Sequence, residues 1–130
     1  MHQRVAKKFR AGRAILAGDA AHVNSPIGAM GMNSGVHDAF NLAGKLTAIL
    51  RGEADEEVLD RYERQRRHVA ITHTQAQTIR NKRFLAETDP AVRKKNQDEL
   101  RRTAEDPVRA RAFLLRASLI ESLREAEAIA

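Results

Sequence analysis

Apolar positions fall into two textures along the chain, and the change lies near residue 52. Ala14-Ile15-Leu16-Ala17 is an unbroken apolar run of strand length, short enough to be buried on both faces. Gly18-Asp19 ends it, and the stretch from Ala20 to Gly31 is punctuated by Pro26, Gly28 and Gly31, residues found where a backbone takes unusual dihedrals. From about Met32 the period becomes helical. Val36, Ala39 or Phe40, Ala43, Leu46 and Leu50 recur at helical steps, and Gly52 stands where a helix C′ stop belongs. All seven glycines lie at or before Gly52, so residues 53–130 carry little loop chemistry.

Beyond Gly52 the pattern predicts helices only. Asp55 is placed as the N-cap of a helix with Glu56 and Glu57 in its first turn. Leu59, Tyr62, Val69, Ala76 and Ile79 mark one face of it to about Arg83. Asp89-Pro90 and Asp106-Pro107 repeat one start signal, an acidic cap followed by Pro at the first helical position. A final helix is predicted through the stripe Val108, Ala112, Leu115, Leu119, Leu123 and Ala126. Glu57–Arg61, Asp60–Arg64, Glu63–Arg67 and Asp98–Arg102 are spaced to pair along helix surfaces. The expected fold is mostly α with one or two short strands. A lone parallel-type strand has nothing here to pair with, which argues for an incomplete fold.

Composition narrows the function classes. At 130 residues the chain makes one compact domain. The formal net charge is +6, a value that usually prompts a nucleic-acid or membrane-surface reading. Five bases and no acid fall within residues 1–13, whereas residues 53–130 hold 16 bases against 15 acids. The excess is therefore local, and no nucleic-acid partner is expected. The runs at Arg64–Arg67, Arg80–Arg83 and Arg93–Lys95 read as solvated helix faces. Aromatics are only 4%, too few for base stacking. No run approaches the ~20 apolar residues of a membrane span, and no secretory h-region adjoins the N-terminal bases. Zero cysteines exclude thiolate chemistry and fit a cytoplasmic location. Five histidines raise a metal reading, but His68 and His73 are five apart, out of step with the same-face i,i+4 pair, so no metal site is expected.

The chemistry concentrates in residues 12–46. A strand delivers the Asp19 carboxylate at its C-terminal end, where ligands of open α/β sheets sit. A Gly-rich loop then runs into a helix N-terminus, which offers unpaired N–H groups and partial positive charge. Together they form a cradle for a ligand with hydroxyls on one side and an electron-rich edge on the other. Alone, Asp19 could equally be an ordinary strand-end acid.

The run Gly18, Asp19, Ala20, Ala21, His22, Pro26, Gly28, Gly31, Asn33, Gly35, Asp38, Ala39, Asn41, Leu42, Lys45 and Leu46 resembles the second FAD-binding signature of the group A flavin monooxygenases, the family of para-hydroxybenzoate and phenol hydroxylases. Tyr62-Glu63-Arg64-Gln65-Arg66-Arg67 resembles the next helix of that family. Ala29 stands where a second Gly is usual, His37 where Gln is frequent, and Gly44 where the family carries a bulky residue.

The resemblance implies a C-terminal fragment of an α/β FAD-binding domain of Rossmann-like, glutathione-reductase type. It implies FAD as cofactor, NAD(P)H and O2 as co-substrates, and an aromatic or phenolic substrate to be hydroxylated. Gly18, Asp19, Pro26, Gly28, Gly31, Met32 and Asn33 are the implied cofactor-binding residues. Asp19 would accept from ribityl hydroxyls, and the loop would donate backbone N–H groups to the pyrimidine edge. The helix starting near Met32 would point its positive end at the N1/C2=O side of the ring. Catalytic residues stay unassigned. The family's N-terminal GxGxxG unit, central Asp-Gly motif and substrate domain have no counterpart here. Residues 1–83 are therefore expected to be the end of an FAD-binding domain and residues 84–130 a helical tail, inactive alone. The expected partner is a complementary N-terminal chain or a second copy. The alternative is a non-catalytic helical interaction module derived from such an enzyme.

Overall fold

The computed structural model describes residues 3–27 and 30–130. The N-terminal third is built from two small antiparallel ladders. Strand β1 (Arg4–Val5) pairs with β4 (His22–Val23), and β2 (Arg10–Ala11) pairs with β3 (Ala14–Ile15) across a tight turn. The expected four-residue strand is thus shorter and antiparallel, and it has a partner. Its partner is the basic lead-in, which closes the hairpin. Ala14 and Leu16 are exposed rather than buried on both faces. The reason is local: the turn at Gly12-Arg13 makes a neighbour available within the chain, so no remote strand is needed.

Helix α1 spans Met30–Leu50 and ends as expected at Gly52. The N–H of Glu53 donates to the Ala48 carbonyl and that of Gly52 to Ile49, both at 2.9 Å, with Gly52 at φ +70°. This is the double bond of a Schellman stop, which requires a residue tolerant of the left-handed region. The buried face of α1 departs from the expectation. Met30, Ser34 and Asp38 are buried, whereas Val36, Phe40 and Leu50 are 60%, 83% and 87% exposed. The helix turns its polar side inward because two charged partners wait there, and its apolar stripe faces out.

Helix α2 (Val58–Val69) continues through a π-helical segment at Ala70–Gln75 into α3 (Ala76–Ala86). Asp55 does not cap it; Glu57 occupies the cap position without a side-chain bond. The side chains expected to pair along α2 bond across the fold instead. Glu63 accepts from the backbone N–H groups of Phe9 (2.6 Å) and Arg10 (2.8 Å), and Asp60 accepts from Arg10 at 2.7 Å. Arg67 donates to the Ala6 carbonyl. Unpaired backbone groups of a short ladder offer more than a solvent-screened pair does. The core beneath is Phe9, Ala21, Tyr62 and Ala70, flanked by Val5, Ala6, Ile15 and Leu42.

The two Asp-Pro starts behave as expected. Asp89 caps α4 (Pro90–Glu105) and Asp106 caps α5 (Pro107–Ala117), each through Oδ1 accepting from two backbone N–H groups. The last predicted helix is broken: α5 ends near Ser118, Leu119 sits at φ +63° and 2% exposure, and α6 (Ile120–Ala128) restarts. That break turns α6 back onto α2. There Arg61 donates to the Ile129 and Glu127 carbonyls, and Arg64 to Ala130. No helix among the described residues is long and apolar enough to cross a membrane.

Candidate functional site

The site is organised by one turn seated on one helix. The 3₁₀ turn Gly18–Ala20 lies against α1, where the Gly18 Cα is 3.4 Å from the Cβ position of Gly35. Gly18 takes φ +58°, a conformation that costs other residues roughly 1–2 kcal/mol. Its N–H donates to Asp38 Oδ2 at 2.9 Å. This tie holds Asp19, the next residue, at the surface, where it is exposed.

The first turn of α1 carries no acid, so its N–H groups and partial positive charge are uncompensated by the helix itself. Met32 (77% exposed) and Asn33 project to solvent, Gly31 is half-buried, and Pro26 is exposed on the loop before them. A Cβ at Gly31 would meet nothing within 4 Å. Gly18, Asp19, Pro26, Gly31, Met32 and Asn33 are thus all described, and Gly28 lies outside the described residues. An exposed carboxylate beside an uncapped helix start is a donor and acceptor set that suits a polyhydroxylated ligand with an electron-rich edge.

Beneath this surface lies a buried polar network whose roles the motif does not announce. Asp38 Oδ1 accepts from Arg66 Nε at 2.6 Å, and Oδ2 accepts from His22 Nε2 at 2.7 Å. Arg66 also reaches the Ser34 carbonyl at 3.4 Å. Burial by itself would raise the Asp38 carboxyl; the His22 hydrogen bond, the Arg66 charge and the Gly18 N–H outweigh it and hold it below the usual carboxylate range. Burial, with the Arg66 charge, pushes His37 down against the opposing pull of Asp38. Tyr62 is pushed well above the ordinary tyrosine range by burial and then by Asp38, and its hydroxyl donates to the Leu16 carbonyl at 2.8 Å.

The sequence carried a signal for this network. Leu59, Tyr62, Arg66 and Val69 share one helix face, so Arg66 is a charge on an apolar stripe and needs a buried acid. Asp38, four residues from Ser34 on α1, supplies it.

On the other side of Arg66 is a cavity of about 350 Å³ lined by His37, Phe40, Asn41, Lys45 and Leu123. Gly44 opens onto it, with nothing within 4 Å of its Cβ position. Lys45 donates to Asn41 Oδ1 and Gln65 Oε1, and burial, then Arg61 and Arg66, lower its pKa.

The model of a family described as "FAD binding domain" matches residues 1–77. The chain belongs to that FAD-binding family. A para-nitrophenol 4-monooxygenase of Pseudomonas sp. (strain WBC-3) is 39% identical over 115 residues, covering 88% of this chain and 28% of that protein. A putative polyketide hydroxylase of Streptomyces coelicolor is 57% identical over 68 residues, 52% of this chain and 11% of its own length. Among solved structures, the p-nitrophenol 4-monooxygenase of Pseudomonas putida DLL-E4 superposes with a TM-score of 0.84 at 39% identity, over 94% of this chain and 30% of that one. The chain therefore spans under a third of the length of each of these relatives.

Within the FAD-binding family the architecture gains a plain meaning. The mostly helical fold with few short strands is that of a partial flavin monooxygenase domain, and FAD is the cofactor the family binds. The exposed carboxylate and the uncapped helix start fit such a group, and Gly35 leaves room for the turn that positions them.

Proposed function

We propose that this chain is the flavin-facing segment of a flavin-dependent monooxygenase that hydroxylates an aromatic or phenolic substrate with NAD(P)H and O2. The observation that carries the reading is the exposed Asp19, held by the Gly18–Asp38 bond beside the free N-terminus of α1. FAD, when bound, supplies the redox chemistry that activates oxygen. The chain's own residues bind and orient. Asp19 accepts from the ribityl hydroxyls, and Gly18 sets the turn that presents it. Pro26 and Gly28 shape the loop along the ring. Gly31, Met32 and Asn33 carry the backbone N–H groups that meet the pyrimidine edge, where the positive end of α1 favours negative charge.

Residues 1–83 supply this segment and residues 84–130 a helical brace, in a cytoplasmic protein. The exposed stripe of Met32, Val36 and Phe40 on α1 supports a covering body. The covering body in this proposal is the complementary FAD-binding part, in the same or another polypeptide, and the segment is inactive without it.

The test supplies the N-terminal part of the para-nitrophenol 4-monooxygenase relative in trans. Flavin absorbance is expected to co-purify with the pair, to be lost in Asp19→Ala, and to be accompanied by NAD(P)H oxidation. Association of the two polypeptides without flavin, or flavin retained equally by Asp19→Ala, overturns the reading. Self-association of the chain through α1, giving a homodimer that ignores the added part, overturns the choice of partner.

A further inference from the structure

The π-helical segment changes what the histidines can do. On an α-helix, residues five apart point about 140° away from each other around the axis. An i→i+5 turn instead sets such residues one above the other. His68 and His73 flank the widened turn within Ala70–Gln75, and their rings meet edge to face with centroids 6.2 Å apart. The backbone stays right-handed helical through both junctions, at φ −59°, ψ −40° for Ala70 and φ −61°, ψ −42° for Ala76. The spacing that argued against a metal pair in an α-helix therefore becomes the spacing that makes one.

A third ligand arrives from another element. Glu125 on α6 places Oε2 at 2.7 Å from His73 Nε2 and 3.7 Å from His68 Nε2. One ligand atom from each residue lies within 4.8 Å of the other two. A tetrahedral Zn²⁺ with bonds of about 2.0–2.1 Å sets its ligand atoms roughly 3.3–3.5 Å apart. The observed separations bracket that value. The side chains are 41%, 19% and 47% exposed, so small rotamer adjustments complete the geometry without disturbing a core.

We propose that His68, His73 and Glu125 form a binding site for a divalent transition metal of the Zn²⁺ class, which clips α6 to the helix running from α2 through the π segment. Two imidazoles and one carboxylate are borderline ligands that favour Zn²⁺ or Co²⁺ over Mg²⁺ and Ca²⁺. The metal takes the place of the proton through which His73 now bonds Glu125, and water fills the fourth position. The carboxylate is already ionised well into the acid range: its pKa is lowered first by the His73 hydrogen bond and, to a lesser degree, by contact with His68. Both imidazoles must be neutral to ligate, so binding weakens on acidification. This site is separate from the flavin-facing surface and stands or falls without it.

Co²⁺ titration of the untagged full chain tests the proposal. One equivalent is expected to give the intense visible bands of a tetrahedral site, to be displaced by Zn²⁺, and to raise the melting temperature reversibly with chelator. His68→Ala, His73→Ala and Glu125→Gln are each expected to weaken binding by more than about tenfold, with unchanged far-UV circular dichroism. No saturable binding, or binding whose stoichiometry and spectrum survive all three substitutions, overturns it.

Discussion

Arg66 and Asp38 meet at 2.6 Å with side-chain exposures of 1% and 0%, so the interior holds a complete ion pair rather than an apolar plug. Such a pair gains little over hydrophobic residues of the same volume, but half of it alone is costly. Asp38→Asn or Arg66→Met is expected to cost about 3–5 kcal/mol, read as the urea midpoint. The double replacement Asp38→Leu/Arg66→Met is expected to cost clearly less than the sum of the singles. Additive losses would show that the two residues act independently.

Acid sensitivity arises from the same network. The folded chain depresses His37 below its ordinary 6.5, so the unfolded state binds the proton first and stability starts to fall as pH drops through about 6.5. Asp38 is depressed below its ordinary 3.8. Its contribution is full above that unfolded value and is lost as pH falls through the lower folded one. Urea unfolding across about pH 7 to pH 3 should therefore show a first decline that His37→Gln removes. A pH-independent midpoint down to the carboxylate range would contradict the assignment.

Gly44 offers a gain. It lies inside α1 with open space around its Cβ position, and glycine in a helix interior costs about 1 kcal/mol relative to alanine. Gly44→Ala is expected to raise stability by roughly 0.5–1 kcal/mol. Thermal melts check it, and a lower melting temperature would mean that the cavity beside Lys45 needs to stay open.

Gly18 should behave in the opposite way. Its φ of +58° makes Gly18→Ala cost roughly 1–2 kcal/mol in backbone strain. The turn that presents Asp19 relaxes with it, so in the reconstituted pair flavin affinity should fall along with stability. A variant as stable as the parent chain would place the turn in another conformation.

The sequence is most informative where a residue type has one local job. Asp89-Pro90 and Asp106-Pro107 start helices, and Gly52 ends one, because caps and stops are decided within a few residues. It misleads where a side chain answers to a distant partner. Val36 and Phe40 have the helical spacing of an inward face, yet Ser34 and Asp38 take the interior because Arg66 requires them. Glu63 is spaced for Arg67 but finds the unpaired amides of Phe9 and Arg10, which no local rule can place. The motif around Asp19 locates the turn and the helix start; the His22–Asp38–Arg66 support beneath them is visible only as a lone arginine on an apolar stripe. The kink at Leu119 leaves no mark, since leucine is among the residues least suited to a left-handed φ.

The π turn at Ala70–Gln75 also sets a rule about length. Removing any one of its six residues would let the hydrogen-bond ladder close as ordinary α-helix, at the cost of turning everything downstream by about 100° and drawing it in by about 1.5 Å. Thr78, now wholly buried, would swing out of the interior, and α4 to α6 would be carried round with it. Substitutions in this segment therefore change one side chain, whereas a single deletion changes the phase of every helix beyond it. Its residue count, more than its composition, is what divergence must preserve.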